Sequence, residues 1–286
     1  MPFVRRRHFG SGALSATLVA ALAVACGGEG PPKAYAIRFS PRVGSAAFAC
    51  DETFDALGAT HARVAFGDFR LYVHDVRLVS SDGREVALAL DEDGTWQHAG
   101  IALLDFESGA GTCRAGTPAT NRVVRGKAPS GDYVGVAFTI GVPESMNHTN
   151  AASSPPPLDQ TSLFWEWTSG YTFLRVDGTV AGAQTDFIVH IAAGGCSGNP
   201  ALGEQASCKN PNLARVRVTG LDLDEGAVAL DLGALLAGID LEHDAGGAAV
   251  CMSDVSDPEC ALVFTHLGLD LSHGTPLPHQ SFAHAE

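Results

Sequence analysis

Three kinds of side chain in this sequence could do chemistry: a tryptophan pair, histidines inside strand patterns, and an even set of cysteines. Trp165-Glu166-Trp167 sets two indoles two residues apart. In a strand, residues i and i+2 share a face, so both rings would project to one side. Such a pair can be an aromatic cluster that covers a sheet. It can also be a stacking platform for sugar rings or, because tryptophan is the most easily oxidised aromatic side chain, a target for redox modification. The chain has 11 histidines. His273, His279 and His284 fall in a polar tail from about residue 272, a poor setting for a preorganised site. His74 and His190 each sit inside a strand pattern between apolar residues, and His148 lies in a long irregular stretch. Singly, each reads as a hydrogen-bonded structural histidine. Together they form a candidate ligand set, because neutral imidazole is the commonest metal ligand and suits copper and zinc.

Seven cysteines is an odd number, and the N-terminus accounts for the odd one. Arg5, Arg6 and Arg7 precede an apolar, small-residue run that ends in Leu22-Ala23-Val24-Ala25-Cys26. This resembles a bacterial lipoprotein signal over residues 1–25, cut before Cys26, which would carry the lipid. An ordinary secretory signal cut nearby is the alternative. Residues 26–33 then form a lipidated cysteine and a short Gly/Pro tether, and 34–286 a single domain. The protein is thus expected to be exported and lipid-anchored to a bacterial membrane, in the periplasm or at the cell surface. Six cysteines remain: Cys50, Cys113, Cys196, Cys208, Cys251 and Cys260. In an exported protein an even number reads as disulfides. The expected pairing is local in sequence, Cys50–Cys113, Cys196–Cys208 and Cys251–Cys260, because the two short loops are rich in turn residues and short of apolar contacts.

Other chemistries are not signalled. There is no GxSxG elbow, HExxH helix or phosphate-binding GxxxxGK[ST] loop. The acidic Asp91-Glu92-Asp93-Gly94 reads as a hairpin turn and lacks the ligand ladder of a calcium loop. The net charge is −14, and residues 1–25 carry three arginines and no acid, so removing them deepens it to −17. That balance excludes nucleic acid as a partner.

The positioning elements are strands. Alternating patterns cover Ala34–Ser40, Asp68–Ser80, Asp132–Ile140, Tyr171–Val176, Thr185–Ala192 and Asn212–Thr219, with a hairpin through Ser81-Asp82-Gly83 into Arg84–Leu90 and a shorter strand at Ala227–Leu232. Short helices fit only Leu232–Ile239 and Pro258–Leu267. The fold class is all-β: an antiparallel β-sandwich or barrel-like domain with long loops, short helices and disulfides. Residues 141–160 form a long irregular segment, followed by apolar Leu163-Phe164-Trp165, so this loop should pack against the domain.

One resemblance is specific. Asp68–Leu78, Gly141-Val142-Pro143 leading to Asn147-His148, Phe164-Trp165-Glu166-Trp167, Gly170-Tyr171, Phe173-Leu174-Arg175, Gly195-Cys196-Ser197-Gly198-Asn199-Pro200 and Cys251-Met252-Ser253 with Cys260 occur in an order that resembles the MbnP-like proteins, the four-Cys members of a metallo-mystery pair. The resemblance covers roughly residues 34–282. It implies a copper-binding protein that is not itself an enzyme but the substrate of one. That partner would be a di-haem MauG-like (MbnH-like) peroxidase that oxidises a tryptophan to kynurenine, which then helps to hold copper. On this reading His74, His148, His190 and Trp165 hold the metal, and Trp165 or Trp167 is modified. The competing readings are a carbohydrate-binding or adhesion module using the Trp pair, which predicts an exposed tryptophan and scattered histidines, and a secreted hydrolase, for which the sequence carries no sign.

Overall fold

A computed structural model describes residues 1–3, 30–166, 168–182 and 186–286, apart from the side chain of Ala201. Most of the expected leader, Cys26 and Trp167 therefore lie outside the described residues. Two sheets carry the fold. The smaller runs Ala283–Ala285, Val228–Asp231, Pro32–Val43, Val123–Pro129 and Ala89–Leu90 from edge to edge. The backbone of the larger runs Ala214–Thr219, Tyr133–Ile140, Ala62–Ser80, Gly170–Val180, Asp186–Ala192 and Val250–Cys251. Neither closes into a barrel. Seven strands bear on the site: β1 (Ala62–Ser80), β2 (Ile101–Asp105), β3 (Phe164–Glu166), β4 (Gly170–Val180), β5 (Asp186–Ala192), β6 (Gly194–Ser197) and β7 (Ser207–Asn210).

The sandwich follows from the period-2 alternation. On β1, Phe69, Leu71 and Val73 face the main core, which they share with Ile37 and Phe39 of the smaller sheet. Phe39 meets Phe138 of the larger sheet edge to face, centroids 5.4 Å apart. Two irregularities let β1 run 19 residues without breaking its burial. Its register shifts at Gly67, where Asp68 opposes Asp177 but Phe66 opposes Gly178, and again near Asp75, whose φ is +46°. Each bulge restores apolar residues to the core side.

Two pairings depart from the expected antiparallel pattern. Pro32–Val43 runs parallel to Val228–Asp231, and β5 runs parallel to Val250–Cys251. The C-terminal tail is not loose either. Phe282 is fully buried and Ala283–Ala285 pairs with Val228–Asp231. One aromatic anchor suffices to dock a polar segment that composition alone reads as free. The disulfides are Cys50–Cys113, Cys196–Cys208 and Cys251–Cys260.

The 141–163 segment lies on the outer face of the larger sheet. Val142, Ala151, Leu158 and Leu163 bury against Tyr72, Ile101, Leu103, Tyr171 and Phe173, a second apolar cluster separate from the main core. Two phenols tie it down: the Tyr72 hydroxyl donates to the Pro157 carbonyl at 2.9 Å and that of Tyr171 to the Leu158 carbonyl at 2.5 Å.

Candidate metal centre

The residues of β1 that face away from the core are Asp68, Arg70, Tyr72 and His74. Register places Asp105 of β2, Arg70 of β1, Arg175 of β4 and His190 of β5 side by side in one row, with Asp68 and Asp177 opposed in the adjacent row. The side chains join into a continuous chain. Arg70 donates from Nε to Asp68 Oδ1 at 2.8 Å and from Nη2 to Oδ2 at 2.5 Å. Arg175 Nε lies 3.0 Å from Asp68 Oδ2, and its Nη2 donates to Asp177 Oδ2 at 2.6 Å. Asp177 Oδ1 lies 2.5 Å from His190 Nε2. Both arginines also hold Ser162, Arg70 through its hydroxyl at 3.1 Å and Arg175 through its carbonyl at 2.8 Å. The ladder therefore fixes the end of the loop from which β3 begins.

The electrostatics follow from burial and pairing. Burial raises the pKa of Asp68 despite the hydrogen bond and charge of Arg70. Burial pushes Asp105 up to about 7 and raises Glu107. Burial would also raise Asp177, but the hydrogen bond and charge of His190 and the charge of Arg175 outweigh it, so this carboxyl is held below its ordinary value. An ionised Asp177 accepts only. The His190 proton in that bond therefore sits on Nε2, which leaves Nδ1 as the ring nitrogen whose lone pair a metal would use. That Nδ1 is buried with no hydrogen-bond partner.

Trp165 stands against this imidazole. β3 pairs with the start of β4, Phe164 opposite Tyr171 and Glu166 opposite Gly170. The Trp165 and His190 ring centroids are 6.2 Å apart with planes tilted by 45°; Trp165 is 36% exposed and His190 only 7%. The pair thus offers one oriented nitrogen donor beside an oxidisable ring that remains reachable from solvent. An orphaned buried nitrogen fits a nitrogen-accepting metal such as copper, which His190 Nδ1 would hold.

His148 belongs to a different constellation. It follows the short helix Glu144–Asn147 and is 8% exposed. Asn147 accepts the Tyr171 backbone N–H on Oδ1 at 2.8 Å, which turns its amide nitrogen toward His148 Nε2 at 3.4 Å. This close fit requires glycine at 170, where φ is +79° and a Cβ would meet Asn147 at 2.5 Å. His148 Nε2 also lies 3.5 Å from Cys208 Sγ, and it groups with both sulfurs of the Cys196–Cys208 bridge within 4.8 Å. Sulfurs joined to each other are not thiolate ligands.

His74 stands apart from His190. It lies four residues along β1 from Arg70, and His190 is two strands across; strand geometry sets them about 16 Å apart. His74 Nδ1 bonds the Gly141 carbonyl at 2.9 Å, and burial lowers its pKa. The structure thus brings Trp165 to His190 and His148 to a disulfide, and leaves His74 as a support for the start of the loop. Trp96 packs against the outer apolar cluster. Sequence reasoning passed over Asp68, Arg70, Arg175 and Asp177. Their signal was the i,i+2 spacing of opposite charges, Asp68/Arg70 and Arg175/Asp177, within strand patterns, which places each pair on one face.

The family model for MbnP matches residues 32–253. The solved structure of MbnP from Methylosinus trichosporium is 32% identical, with a TM-score of 0.82, over 89% of this chain and 98% of that one. No curated protein matches. With most of its length matched in sequence and the whole sandwich matched in structure, the chain belongs to the MbnP family.

Proposed function

We propose that this chain is an exported copper-binding protein whose site combines His190 with Trp165 after that ring has been oxidised to kynurenine by a partner di-haem peroxidase-like enzyme. The observation that carries the reading is the Trp165–His190 contact, with an unpartnered buried Nδ1 on the imidazole. Family membership supports metal binding and export. Three disulfides fit an oxidising compartment, and no helix among the described residues is long and apolar enough to cross a membrane. Attachment through a lipidated Cys26 is part of the proposal.

Opening the indole leaves an aryl amine near the His190 ring, a second nitrogen donor in addition to Nδ1. Copper, once bound, supplies a centre that accepts both. The work of this chain's own residues is positioning: Asp177 holds the Nε2 proton, Arg175 holds Asp177, and Ser162 ties the arginines to the segment that delivers Trp165. Partial exposure of the indole lets a haem oxidise it by electron transfer across a docked interface, and the acidic surface suits a partner with a basic patch. In this role the chain is a substrate and carrier, not a catalyst, serving copper uptake, storage or sequestration. A sugar-stacking platform would also use an exposed indole, but it has no use for a buried histidine with an unpartnered nitrogen beside the ring.

The test is peptide mapping of the chain co-expressed with a di-haem partner. Kynurenine is expected at Trp165, and His190→Ala is expected to weaken copper binding by at least about tenfold. An unmodified Trp165 together with unchanged copper affinity in His190→Ala would sink the proposal. Modification at Trp167 alone would assign the oxidised ring to Trp167 instead.

A further inference from the structure

A second donor set lies at the His148 corner, and it does not rest on the Trp165 reading. β6 and β7 form a two-stranded ribbon in which Cys196 and Cys208 are directly opposed, flanked by the Gly194–Asn210 and Ser197–Ser207 pairs. That ladder holds the two cysteines together whether or not their sulfurs are bonded. His148 Nε2 lies 3.5 Å from Cys208 Sγ, and the Asn147 amide, fixed by the Tyr171 N–H, presents its nitrogen to that same Nε2 at 3.4 Å. Two donors bound to one ion at about 2.3 Å cannot lie more than about 4.6 Å apart. The three atoms lie within 4.8 Å of one another, close to that limit.

This bridge is also the accessible one. Cys50, Cys113, Cys251 and Cys260 are buried, whereas Cys196 and Cys208 are half-buried. A groove of about 520 Å³ lined by Glu144, His148, Glu204 and Ser207 lies beside it. Glu144 accepts the Cys208 backbone N–H at 3.2 Å, which brings a carboxylate to that groove, a favourable approach for a cation. Access governs which disulfide exchanges first.

We propose that Cys196–Cys208 gates a second copper site: reduced by a dithiol, the two thiolates and His148 Nε2 hold one Cu(I) ion. The reductant's thiolate attacks Cys196 Sγ, and the S–S bond breaks with its electron pair going to Cys208. The reductant's second thiolate then expels Cys196 and closes as a disulfide. Two electrons pass to the protein, and the reductant's two thiol protons pass to solvent as Cu(I) takes both cysteine thiolates. Soft thiolates with one imidazole match the preference of Cu(I).

The test uses the full chain bearing Cys26→Ser, oxidised or treated with dithiothreitol and desalted without oxygen, then titrated with Cu(I) against a chromophoric Cu(I) chelator. Reduction is expected to expose thiols at Cys196 and Cys208 first, to add one Cu(I) equivalent, and to give sulfur ligands in X-ray absorption. His148→Ala should weaken that added equivalent at least about tenfold. Trp165→Phe should leave it intact, so the two copper readings fail independently. No added equivalent on reduction overturns the proposal, as does one that persists in Cys196→Ser/Cys208→Ser. Should that double variant not fold, alkylating the reduced wild type replaces it: an added equivalent that survives alkylation overturns the proposal.

Discussion

On β1, Phe69, Leu71 and Val73 face the smaller sheet, while Asp68, Arg70, Tyr72 and His74 face the 141–163 loop; Phe69, Leu71, Asp68, Arg70 and Tyr72 are all essentially inaccessible to solvent. The same strand therefore buries two unlike surfaces. The inner one is held by non-directional apolar burial, which tolerates exchange among residues of similar volume. The outer one is held by directional pairing, in which each charge requires its partner in place. Apolar packing makes the sandwich. The charged ladder, by fixing Ser162 and Asp177, sets where Trp165 and His190 meet. The site is thus specified by the surface that is costlier to bury.

The outer face is expected to break at Arg70. Arg70→Ala removes both bonds to Asp68 and the hold on Ser162. With Arg175 still beside Asp68, the expected loss is about 3 kcal/mol of stability in denaturant melts. A neutral result would mean that the outer face is not a linked ladder.

Asp105 gives the next effect, through pH. Its carboxyl is raised to about 7 in the folded chain, above its unfolded value near 3.8. Between those values the unfolded state binds fewer protons, so stability falls as pH rises from about 4 to 7. The full span is up to about 4 kcal/mol, at 1.36 kcal/mol per unit. Asp105→Asn should flatten that slope and raise the melting temperature at pH 8 relative to wild type.

A smaller change separates positioning from folding. Asp177→Asn keeps the shape at His190 but no longer fixes the proton on Nε2. Copper affinity should drop by about 10- to 100-fold. The pair of neighbours on β5 then sharpens the contrast. Ile191 faces the main core while His190 faces the ladder. Ile191→Val should lower stability by about 0.5–1.5 kcal/mol and leave copper binding and tryptophan oxidation unchanged.

Much of the inner surface was legible, because period-2 alternation reports burial on one face. The strands at 133–140 and 214–219 fall where alternation put them. Val123–Pro129 escaped notice, since its inward positions include Gly126 and Ala128, which carry little hydrophobic signal. Gly126 is needed there because a Cβ would lie 2.5 Å from the Ala89 carbonyl oxygen. β2 escaped for the opposite reason: Ile101–Asp105 is wholly buried and shows no alternation. The outer surface was legible in parts only. His190 and Trp165 were named from residue type and resemblance, yet that they meet, and that His74 stands away from them, depends on strand order, which local sequence does not encode. The two parallel pairings, which join distant segments, share that cause.

The central claim is that oxidised Trp165 and His190 together hold copper. Copper titration of the chain before and after treatment with the di-haem partner, in wild type and in Trp165→Phe, tests it most directly. The account predicts a tight copper equivalent that appears only in treated wild type. An equally tight equivalent in treated Trp165→Phe, or no difference between treated and untreated wild type, would contradict it.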